Sequence, residues 1–156
     1  RAFGLMGPLI ALFTMVAFVM SLIAVGWRPG DDFPAGRELA MASGAAFMTV
    51  VLAQTFNAFA CRSTTRTPRE LGWTTNHLLL PAAAIELAFS LAVLFVGPIA
   101  DELGHANPPL WGWAVGLASI AAVLLVDRID KHRRRAARQA TGHRAAAAAT
   151  GSDGRR

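Results

Sequence analysis

Leu39 to Cys61, LAMASGAAFMTVVLAQTFNAFAC, carries no charged side chain from one end to the other. A helix needs about 20 apolar residues to cross a bilayer, and this run is long enough. It shows no period-two alternation, so a half-buried strand does not compete with the helix reading. Two amides interrupt it near its end. Gln54 and Asn57 stand three residues apart and so share one helix face. Polar groups inside a bilayer are costly, and they face a protein interior or an ion path.

Three more apolar segments lie around this one, at about 3–27, 78–96 and 110–129. Each suits a membrane crossing by length. The pattern predicts an all-α membrane protein with four transmembrane helices in an antiparallel bundle. Pro81 and the Pro108-Pro109 pair fit helix starts, where a missing N–H costs nothing. Pro8 either marks the first turn of segment one or kinks it. Thr74, Thr75 and Asn76 are available as N-caps for segment three. Segment four is expected to continue as a polar helix through Asp127, Arg128 and Lys131. The module is expected to span residues 1–138, and 139–156 to form a disordered basic tail, because nothing there offers an apolar face to pack.

Composition agrees. The 156 residues are 54% hydrophobic and only 16% charged, against about 25% charged in soluble domains. The net charge of +5 comes mainly from the region after Val126. Arginines beside a span hold it at a membrane surface, and nucleic acid is not an expected partner. The lone Cys61 excludes an intrachain disulfide. The first segment exceeds the about 7–15 residues of a signal-peptide core, so it reads as a retained span. All Lys and Arg except Arg28 and Arg37 fall on one side of the four-span topology. The positive-inside rule then puts both termini and the 62–77 loop in the cytosol. Trp27, Trp111 and Trp113 fall at outer helix ends and Trp73 at the inner side, as aromatic belts require. The expected location is the plasma membrane.

Three residues are candidates for an ion path: Gln54, Asn57 and Glu86. Amide carbonyls can replace water around a cation, or they can hydrogen-bond a neighbouring helix. Glu86 is the one carboxylate within a predicted span. It either serves an ion or proton path or bridges two helices as a neutral acid. The four histidines are scattered through loops and tail. Asp127 and Asp130 flank Arg128 and Lys131 and read as a solvated helix end with local charge pairs. Gly112-x-x-x-Gly116 allows close helix approach without naming a partner. No P-loop, GxSxG, HExxH or CxxC is present.

Four stretches in order resemble the last four spans of P2-type cation-transporting P-type ATPases, the C-terminal membrane module of pumps such as the sarcoplasmic calcium pump and the sodium–potassium pump. They are Gln54 to Ser63, Leu94 to Pro98, Pro108 to Trp111, and Leu125 to Lys131, similar to the eighth span, the end of the ninth, and the start and exit of the tenth. The resemblance covers about residues 1–135. It implies that Gln54 matches a position where calcium pumps present a carboxylate and sodium pumps a glutamine. Asn57 matches an asparagine of calcium pumps and an ion-site aspartate of sodium pumps. Glu86 falls within one residue of a ninth-span glutamate of the sodium pump. The amide at Gln54 departs from the calcium-pump pattern.

The resemblance further implies a lipid bilayer, the remaining spans and cytosolic domains of a pump, and a transported cation as partners. ATP and magnesium are implied for a full-length pump and not for this chain. Phosphoryl transfer needs an acceptor, a metal and a phosphate cradle, and the chain contains no such set. It is expected to be a fragment of a pump or a split remnant of one, not catalytic alone. The alternative is a non-enzymatic four-span scaffold or a subunit of another transporter.

Overall fold

The computed structural model describes the backbone of residues 2–153 and the side chains of 4–141. Every named element among them is helical. A π-helical turn, Ala2–Met6, leads into α1, Gly7–Ala24, with Pro8 in its first turn. A proline ring collides with the carbonyl four residues earlier in a regular α-helix. The wider π turn ahead of Pro8 relieves that clash. Helix α1 stops at Ala24, three residues before the expected Trp27. Gly26 turns to φ +105°, and its N–H bonds the Ile23 carbonyl while that of Trp27 bonds Leu22. These two bonds satisfy carbonyls that the helix end would otherwise orphan.

Helix α2, Gly36–Ala60, begins three residues earlier than expected, taking in Arg37 and Glu38. Glu38 lies in the first turn, where the helix dipole favours an anion. The 62–77 segment, read from sequence as loop, contains a short helix α3, Pro68–Leu71. Thr67 and Glu70 cap it reciprocally, a T-x-x-E signature legible in Thr67-Pro68-Arg69-Glu70. Asn76 accepts the N–H groups of Leu78 and Leu79 and so serves the start of α4, Leu79–Phe95. Val96 is extended and breaks the run. Helix α5, Gly97–Glu102, follows with Pro98 in its first turn.

Helix α6, Leu110–Asp153, is the longest. It continues past Lys131 to Asp153 and so runs into the stretch 139–156 expected as a tail, whose last residues, 154–156, lie outside the described residues. Alanine carries the highest helix propensity, and Ala145 to Ala149 sit in this extension. Three helical stretches have the length and apolarity to cross a membrane: Gly4–Ala24, Gly36–Ala60 and Leu110–Thr141. The fourth, α4, is shorter, with 17 residues. At 1.5 Å per residue it reaches about 26 Å, against a hydrocarbon core of about 30 Å.

Helices α1, α2 and α6 pack on one another, and α4 rests on α2. The three-helix junction is built from small residues: Ala17, Ser21, Ala42, Ala45, Thr49, Ala53 and Ser119 are all buried. A Cβ added at Gly112 would stand 2.6 Å from Ser21 Oγ and 2.8 Å from Ala45 Cβ. At Gly44 an added Cβ would collide with the Ala106 carbonyl. That loop is tied to α2 by the Ala106 N–H donating to Ala40 O at 3.0 Å. Gly112 and Gly116 thus face α1 and α2, the partners the spacing alone left unnamed. Such close backbone approach is how helices associate in lipid. Leu94 of α4 joins Met48 and Leu52 in a second cluster, while Ile85 and Phe89 stay 70% and 66% exposed. Trp27, Trp111 and Trp113 fall towards one end of the molecule. Trp73 packs against Phe56 and Phe59 at the other.

Candidate functional site

The site region is the last two turns of α2 and what surrounds them. Gln54 is exposed, Thr55 buried and Asn57 partly buried. The Asn57 Nδ2 approaches Gln54 Oε1 at 3.5 Å, a long contact. Cys61 Sγ lies 3.7 Å from Asn57 Oδ1. The two amides therefore form one pair on one face, as their spacing requires. No other helix binds either amide among the described residues.

Glu86 does not join them. Its Oε2 lies 2.9 Å from Thr55 Oγ1, across the α2–α4 contact. At 100° per residue, Thr55 points about 160° away from Asn57 around α2. The same hydroxyl lies 2.8 Å from the Val51 carbonyl. A hydroxyl has one proton to donate, so it serves one of these acceptors at a time. Thr55 escaped the sequence reading because a threonine in an apolar helix ordinarily bonds its own i−4 carbonyl.

Asn57 lines a cleft of about 470 Å³ at the Arg-rich end of the molecule, with Cys61, Asp127, Asp130, Lys131 and Arg134. Here the structure corrects the reading of a solvated helix end. Asp127 and Lys131 are only 7% and 3% exposed. The Lys131 ammonium donates to Asp127 Oδ2 and to the Ala60 carbonyl, both at 2.7 Å. Ala60 ends α2, and its carbonyl is one of the acceptors a helix end leaves open. A cation there also meets the negative end of the helix dipole. The i,i+4 spacing of Asp127 and Lys131 was visible in sequence. Its burial under α2 was not. Asp130 pairs likewise with Arg134 at 2.5 Å, in a more exposed position.

One turn further along α6, Arg135 grips α3. Its Nη1 and Nη2 donate to Glu70 Oε1 and Oε2 at 2.9 and 2.5 Å, and its Nε donates to the Thr65 carbonyl. These bonds from Arg135, together with those from Thr67, hold the Glu70 carboxyl down at about 2. Arg62, just past α2, closes the same segment by donating to Gly72 O at 3.0 Å and to Thr75 Oγ1. Among the described residues no three of His, Cys, Asp and Glu stand together as metal ligands. The geometry offers one amide pair beside a polar cleft, and one carboxylate held separately by a hydroxyl.

The sequence matches the family "Cation transporting ATPase, C-terminus" over residues 1–133. It is also similar to "Calcium-transporting ATPase 1" of Lactococcus lactis subsp. lactis (strain IL1403), with 38% identity over 86 residues. That alignment takes in 51% of this chain and 9% of the relative. No solved structure matches. Membrane-length helices, an amide pair on the second of them and a match over nearly all of the apolar region agree, and the chain belongs to the family of cation-transporting ATPase C-terminal membrane regions.

Proposed function

We propose that this chain works as the closing membrane module of an ATP-driven cation pump, bracing the ion-binding core and lending it Gln54 and Asn57. The observation that carries this reading is the open amide edge of α2. Gln54 is exposed on a membrane-length helix, and among the described residues no other helix binds its amide. A polar side chain so placed belongs against further protein or an ion path. The partners on that side would be the remaining spans, with the transported cation between them. ATP and magnesium would act in the cytosolic domains of the whole pump and not here. In this reading α4, shorter than its neighbours, completes an antiparallel four-span module over 1–138. Residues 139–156 stand outside it. The basic end, both termini included, faces the cytosol, and the membrane is the plasma membrane.

For Glu86 the contact with Thr55 favours a helix-bridging role, the alternative weighed for that residue. The test is transport. The chain is co-expressed with a cation pump truncated before its seventh span, and cation uptake into vesicles is measured. Uptake should return. Gln54→Ala and Asn57→Ala should raise the half-saturating cation concentration about tenfold, the scale of one lost ligand, at unchanged chain abundance. Loss of abundance with unchanged cation affinity would instead make both amides packing groups. The chain would then be a scaffold or a subunit of another transporter.

A further inference from the structure

A second cleft, of about 330 Å³, opens between α3 and the middle of α6. This volume lies at the small end of ligand sites, about 300–1,000 Å³. Buried Pro68 and half-buried Leu124, with Trp73 beside them, give the lining an apolar floor, and the exposed Arg69, Arg128 and His132 form its rim. The one acid in the described lining, Glu70, is held by both terminal nitrogens of Arg135. Arg69 and Arg128 form no ion pair among the described residues. The cleft therefore combines an apolar base with two uncommitted guanidinium groups.

Its position along α6 says what it faces. Leu124 belongs to the apolar run that ends at Val126, and Arg128 follows one turn later. Floor and rim thus straddle the level where hydrocarbon gives way to headgroups. Trp73 is 39% exposed, with its ring set by Phe56 and Phe59. An indole so placed prefers that same interface. We propose that this cleft holds the headgroup of one anionic phospholipid, its phosphate between Arg69 and Arg128 and an acyl chain along Trp73 and Leu124. Guanidinium groups suit phosphate through paired N–H donors, and His132 adds a further hydrogen-bond donor. A soluble phosphate would satisfy the rim and leave the apolar floor without a partner. This inference stands apart from the pump reading, because it needs only a membrane.

The experiment places the chain in nanodiscs of equal phosphatidylglycerol and phosphatidylcholine and reads retained lipid by native mass spectrometry. Phosphatidylglycerol should be kept over phosphatidylcholine by about tenfold. The Arg69→Gln/Arg128→Gln variant should fall to near parity. Arg133→Gln/Arg138→Gln, which removes as much charge from α6 alone, should keep the preference. Equal retention of both lipids by the unmodified chain would overturn the proposal. So would an equal loss in the control variant, which means diffuse attraction to the basic end. Displacement of phosphatidylglycerol by millimolar inorganic phosphate would reassign the rim to a soluble anion and also overturn it. Should the double variant fail to fold, the unmodified chain with and without phosphate decides the matter.

Discussion

The middle of the bundle and its basic end both fasten α6 to its neighbours, by opposite means. In the middle, Gly112 and Gly116 of α6 meet Ser21, Ala45 and Thr49 with almost nothing between the backbones. At the basic end, Lys131 and Arg135 reach from α6 to the Ala60 carbonyl of α2 and to Glu70 of α3, and Asp127 of α6 itself holds the Lys131 ammonium. Lipid tails are as apolar as leucine, so burying apolar surface gives helices no reason to prefer each other. Close van der Waals contact must supply the preference, and only small residues allow it. Where the chain leaves the hydrocarbon, charge becomes tolerable. Charge-assisted hydrogen bonds can then fix helix ends that small residues would leave free.

Breaking the charged end at its buried node should have the largest effect. Lys131→Met strands the Asp127 carboxylate and the Ala60 carbonyl, and removing one partner of a buried pair costs about 3 kcal/mol or more. Thermal unfolding in detergent should show it, with Asp127→Leu in the same chain recovering most of the loss. A double variant no better than the single one would mean the carbonyl bond, not the charge, dominates. The middle breaks differently. Gly112→Val pushes into Ser21 and Ala45, and overpacking of this kind costs about 1–3 kcal/mol. Gly97→Ala should be silent in the same assay, since nothing lies near its added Cβ. Equal effects at both glycines would contradict the packing account.

The α2–α4 contact should be weaker than either. Thr55→Val removes the hydroxyl beside Glu86, and membrane hydrogen bonds of this type average about 0.6 kcal/mol. Steric-trapping stability should fall by that order, and a loss as great as that of Lys131→Met would refute it. The gentlest test concerns Arg135 and Glu70. The Glu70 carboxyl sits at about 2, below its ordinary 4.5. A lowered folded value means the contact contributes fully above about 4.5 and fades as pH falls towards 2. A carboxyl NMR titration of Glu70 should find its midpoint near 2. Arg135→Gln should return it towards 4.5, whereas an unmoved midpoint would assign the shift to Thr67.

The three membrane-length helices and the shorter apolar α4 were open to a reading from sequence. Uncharged runs and the prolines at Pro81 and Pro108 are local signals with local causes, and the T-x-x-E cap at Thr67 is as local but lies in a segment read as loop. Their ends shifted by a few residues where bonding intervened, as at Gly26 and Asn76. The candidate site was half legible. That Gln54 and Asn57 form one pair follows from spacing alone. That Glu86 turns to Thr55 instead required knowing which face of α4 meets α2. The burial of Asp127 and Lys131 was misread for the same reason: an i,i+4 charge pair looks identical in sequence whether water or another helix covers it.

The sequence by itself determined that this is a helical membrane protein of the cation-transporting ATPase family, because length, apolarity and ordered motifs are properties of the chain. Only the tertiary structure decided that Lys131 closes the end of α2, that Gly112 faces Ser21, and that Arg69 and Arg128 share one cleft. Those pairings join residues far apart in the chain, and their energies depend on which surfaces the helices turn towards each other.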